Sequence, residues 1–81
     1  MISRNWDIVV DGEAHTVGIE LDSFLGKLEV KIDGESFELP PKFLTFFTGR
    51  REQFTLGDKP AILKIEPLGK VTIIAGGKNY E

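Results

Sequence analysis

The chain has 81 residues, 41% hydrophobic and 28% charged, and a formal net charge of −3. That is the length and mix of one small globular domain, and no apolar run approaches the roughly 20 residues of a membrane-spanning helix. The absence of cysteine excludes disulfides, thiol catalysis and thiolate metal sites, and the negative charge disfavours a general electrostatic grip on nucleic acid or anionic lipid.

No apolar segment of the signal-peptide kind follows Arg4, so the expected compartment is the cytoplasm, which also suits a β domain without disulfides. Residues 2–10 alternate: Ile2, Trp6, Ile8 and Val10 share one parity, and Ser3, Asn5 and Asp7 share the other. Period 2 predicts a half-buried strand. The return strand runs from Glu13 to Leu21, with His15, Val17, Ile19 and Leu21 inward. Asp11-Gly12 between them is a strong hairpin signal, because both central residues of a type I′ turn need positive φ. Gly18 marks a bulge or a close backbone approach.

Asp22 to Gly26 is a loop. A third strand, Lys27 to Ile32, is predicted to turn at Asp33-Gly34 into a fourth, Glu35 to Leu39, with Phe37 and Leu39 inward. Pro40-Pro41 then interrupts. Neither proline can donate to a ladder, so the chain is expected to cross there to a second sheet. Next comes the stretch 42–49, apolar on both parities. A strand from Arg51 to Leu56 follows, then one from Ala61 to Glu66, the Pro67-Leu68-Gly69 turn, and a last strand from Lys70 to Ala75. Gly76-Gly77 ends the order, and residues 78–81 are expected to fray.

No helical periodicity is sustained for three turns. The expected fold is all-β: a single antiparallel β-sandwich domain over residues 1–77, with about eight short strands in two four-stranded meanders. A small, partly open β-barrel is the alternative. Charge divides with the sequence. Residues 1–40 hold three Lys/Arg against nine Asp/Glu, about −6, and residues 41–81 hold seven against four, about +3. The simplest consequence is two surfaces that attract within the fold; the other is complementary faces that steer association.

An ordered series of short motifs resembles the Fas apoptotic inhibitory molecule family. It begins with Trp6-Asp7, Asp11-Gly12, His15 and Ile19-Glu20. It continues through Gly26-Lys27, Val30 and Ile32-Asp33-Gly34, then Phe46, Gly49, Phe54-Thr55-Leu56-Gly57 and Ala61 to Ile65. The resemblance implies an antiparallel β-sandwich without catalytic activity. The family's animal members carry two such domains in tandem and act through protein contacts in survival signalling and in restraining aggregation; this length holds one.

The residues themselves offer little chemistry. His15 is the sole histidine and shares parity with Val17 and Ile19, so it is expected at the core or a sheet boundary, bonded to backbone or to an acid. One histidine without cysteine cannot build a usual zinc site. Ser3, Ser23 and Ser36 stand in no nucleophile motif. The acidic turns lack the oxygen spacing of a calcium loop, and no helix follows the glycine-rich turns to bind phosphate. No metal, cofactor or catalytic residue is therefore expected. Trp6 and His15 are expected core anchors, and Asp11, Gly12, Asp33 and Gly34 are expected turn residues.

Two function classes remain. The first is a non-enzymatic protein-interaction module that binds itself or another protein. Phe43, Leu44, Phe46 and Phe47 are its candidate interface, because large apolar groups occupy both parities there and a homodimer would cover one set. The alternative is a small barrel binding single-stranded nucleic acid. It would use Lys42, Arg50, Arg51 and Lys59 interleaved with Phe43, Phe46, Phe47 and Phe54.

Overall fold

Turn chemistry sets the framework. In the computed structural model, which describes residues 2–22, 25–42, 48–67 and 69–81, Asp11 and Asp33 both take a φ of 50°, followed by Gly12 at 79° and Gly34 at 88°. Two successive positive φ values are the signature of a type I′ turn, whose twist matches the strands it joins. The first turn links β1 (Ile2–Val10) to β2 (Glu13–Asp22), paired from Ile2↔Leu21 to Val10↔Glu13. The second links β3 (Lys27–Ile32) to β4 (Glu35–Leu39), closing on Ile32↔Glu35. The β1–β2 pairing runs unbroken through Asn5↔Gly18. Gly18 is therefore a close approach rather than a bulge: a Cβ there would stand 2.7 Å from Asn5 Oδ1.

The chain leaves the first sheet at Pro40-Pro41, as expected, and enters a second. Its strands are β5 (Arg50–Leu56), β6 (Lys59–Ile65), β7 (Val71–Ala75) and β8 (Lys78–Tyr80). The two sheets have the orders β1-β2-β3-β4 and β5-β6-β7-β8, all antiparallel. They do not close into a barrel, and the architecture is a small β-sandwich. Pro60 is tolerated in the central strand β6 because the β6–β7 ladder ends at Ala61↔Ala75, one residue before it.

The inward parities of both sheets meet in one apolar core: Trp6, Ile8, Val10, Val17, Ile19, Leu21, Leu28 and Val30 from the first, and Leu56, Ala61, Leu63, Ile65, Val71, Ile73 and Ala75 from the second. Full burial of one such Leu or Ile contributes about 1.5–3 kcal/mol. The acidic half of the sequence forms the first sheet and the basic half the second. Asp11 and Lys59 form an ion pair of 3.1 Å between them.

Two expectations are corrected. Residues 78–80 do not fray but form β8, because Gly76 and Gly77 both take positive φ and turn the chain back onto β7. Phe37 is not covered: it keeps the inward parity of β4 yet is 47% exposed, since β4 is an edge strand with no partner beyond it among the described residues. Of the stretch 42–49 that is apolar on both parities, Phe43, Leu44, Phe46 and Phe47 lie outside the described residues.

Candidate functional site

His15 and Asp33 come from different hairpins and meet at one end of the sandwich. The parity of β2 turns His15 inward, 9% exposed. The backbone bond from Asp33 N to Thr16 O, 2.9 Å, brings the second turn beside it. His15 Nδ1 then lies 2.7 Å from Asp33 Oδ2, while Asp33 Oδ1 accepts the Thr16 N–H at 2.9 Å. The hydrogen bond from His15, then that from Thr16, holds the Asp33 carboxyl below the usual aspartate range. Asp33 is therefore a carboxylate, and Nδ1–H is the donor.

That pair has the form of the Asp–His part of a hydrolytic triad, but its other side is closed. Nε2 is buried without a hydrogen-bond partner among the described residues. Its nearest charged neighbour is Glu13 Oε2 at 3.7 Å. The space beside the ring belongs to Gly57, where an added Cβ would meet Glu13 and His15. No hydroxyl is bonded to the imidazole among the described residues. His15 thus ties β2 to the β3–β4 turn, and among the described residues no nucleophile is bonded to its second nitrogen. Trp6 is likewise buried, with Arg4 stacked on its ring at 5.4 Å.

At the opposite end Arg50 is 6% exposed and spends its guanidinium on structure. Nη1 donates to Gly26 O at 3.0 Å, Nη2 to Pro40 O at 2.6 Å and Nε to Glu52 Oε1 at 2.8 Å. Lys42 Nζ donates to Gly49 O at 2.9 Å. Two of the four cations considered for nucleic-acid binding are thus engaged with the protein's own backbone, and Phe54 is half-buried against the core.

An open surface lies between the edge strands β4 and β5. A cleft of about 470 Å³ enters there, floored by Val30, Ile32, Phe37, Leu39, Phe54 and Leu63. Its charged lining is Asp33, Glu35 and Glu52; no lysine or arginine is among the described lining residues. The outer face of the same sheet carries an unusual row. Glu20 pairs with Glu29, and Glu29 with Glu38, so three glutamates stand directly opposite one another across β2, β3 and β4. Like charges in that relation destabilise a sheet. Among the described residues, no group of three or more His, Cys, Asp or Glu side chains is placed to hold a metal ion. No described helix is long and apolar enough to cross a membrane.

The candidate interface named from sequence, Phe43 to Phe47, is outside the described residues. The cleft and the glutamate row were not singled out from sequence. The signal was present in Glu35, Phe37 and Glu38, but it becomes visible only once β4 is known to be an edge. Comparison with known protein families, curated proteins and solved structures finds no match to this chain.

Proposed function

We propose that this chain is a non-enzymatic protein-interaction module that contacts its partner through the open side between β4 and β5. The exposure of Phe37 carries the reading. A large aromatic ring, 47% exposed above an apolar-floored cleft on a small β-sandwich, marks a contact surface. The ordered motifs that resemble a Fas apoptotic inhibitory molecule domain support the same class of function, as does the engagement of His15 and Arg50 in structure. The lack of cysteine suits work in the reducing cytoplasm.

Selection from a random peptide display library tests the proposal, with counter-selection on a Phe37→Glu variant. Enrichment of peptides retained by the wild-type domain and released by the variant is the expected result. Peptides retained equally by both, or a domain that retains none, would count against it.

A further inference from the structure

We infer that the partner docks as an extended basic-and-apolar segment added antiparallel to the β4 edge. The inference rests on the protein-interaction reading above and names the partner's chemistry.

The backbone parity of β4 follows from its neighbours. Asp33 N donates to Thr16 O on β2, so odd positions of β3 bond β2, and even positions bond β4. With Ile32↔Glu35 and Val30↔Phe37 as partners, Glu35, Phe37 and Leu39 turn their backbone groups toward β3. Ser36 and Glu38 turn theirs outward, where no strand lies among the described residues. These outward N–H and C=O groups are the template for one more strand.

The side chains then specify that strand. On the cleft side, its residue beside Phe37 meets the apolar floor, and its residue beside Glu35 meets the Glu35 carboxylate at the end of the cleft that Asp33 also lines. On the outer face, its residue beside Glu38 extends the row Glu20–Glu29–Glu38. Both faces therefore call for a cation, and the centre of the cleft side calls for an apolar group. The glutamate row is unfavourable in the lone sheet, so a lysine or arginine at its end gains attraction that any other residue would forgo. A second copy of this chain paired edge to edge would instead bring two acidic rims together.

The probe is the synthetic peptide Thr-Val-Lys-Ile-Thr-Lys-Thr, with both lysines replaced by glutamate in the control. Backbone amide shifts of the ¹⁵N-labelled domain are followed during titration. Lysine-peptide binding that perturbs Ser36, Phe37 and Glu38 and weakens at least tenfold with the glutamate peptide is expected. Ser36→Pro removes an outward N–H without touching the β3–β4 ladder and should weaken binding at least tenfold. Glu29→Lys offers an independent check. It breaks the row, so it should raise the melting temperature by about 2–4 °C while weakening the peptide several-fold.

Equal binding of both peptides would overturn the charge requirement and leave the interaction reading standing. Unchanged binding to a folded Ser36→Pro would overturn strand addition. Binding of neither peptide would overturn the whole inference, while the display selection separately decides whether the module binds protein at all.

Discussion

His15 Nδ1 and Asp33 Oδ2 lie 2.7 Å apart although 18 residues separate them in sequence. The contact ties the β2 strand to the β3–β4 turn, and Asp33 also receives the Thr16 N–H. One side chain thus serves a turn that needs positive φ, a backbone donor and a buried imidazole.

Acid should dissolve this tie in a defined window. The Asp33 carboxyl is lowered, first by the His15 hydrogen bond and then by Thr16. A lowered folded-state pKa gives stability that is fully present above the unfolded value of about 3.9 and lost as pH falls through the lower folded value. Asp33→Asn keeps an acceptor for Thr16 and tolerates the positive φ, so it isolates the charge. At pH 5 the wild type should melt above the variant, and the gap should close as the pH falls below about 4. A gap that persists at pH 2 would contradict the assignment.

Glycines with positive φ should separate into two groups. At Gly34 an added Cβ would meet nothing within 4 Å, so Gly34→Ala carries only the backbone penalty, about 1–2 kcal/mol. At Gly26 the same Cβ would overlap the Lys42 carbonyl, which belongs to the segment leaving the first sheet. Gly26→Ala should cost more than about 3 kcal/mol or prevent folding. Urea denaturation measures both.

Arg50 holds the crossing between the sheets. Arg50→Ala would strip Pro40 O and Glu52 of their donor and leave a buried void, costing about 2–4 kcal/mol. Arg50→Lys should recover less than half, because an ammonium cannot present a planar fork to three acceptors. Chemical denaturation of the two variants is the check.

The fold was legible because its rules are local. Asp11-Gly12 and Asp33-Gly34 set two turns, the alternation from Trp6 to Val10 set a face, and Pro40-Pro41 set the crossing. The end of the chain was misjudged because Gly76-Gly77 looks the same as a turn or as a tail until β7 offers a partner. The site was harder. Asp7 and Asp11 stand nearer His15 in sequence than Asp33 does, and only the β2–β3 register selects Asp33. Phe37 follows the parity of a core residue, and nothing local reveals that β4 has no outer neighbour among the described strands. The glutamates at 20, 29 and 38 are unremarkable singly and form a row only through two registers.

The location of the contact surface is the claim on which the rest depends, and β1 presents the other free edge of the same sheet. By alternation from Val10↔Glu13, the amides of Asn5 and Asp7 face outward there, as Ser36 and Glu38 do on β4. Amide hydrogen exchange should be measured with and without the peptide enriched by display. Slower exchange at Ser36 and Glu38, with Asn5 and Asp7 unchanged, is the predicted result. Slower exchange at Asn5 and Asp7, with Ser36 and Glu38 unchanged, would contradict the account.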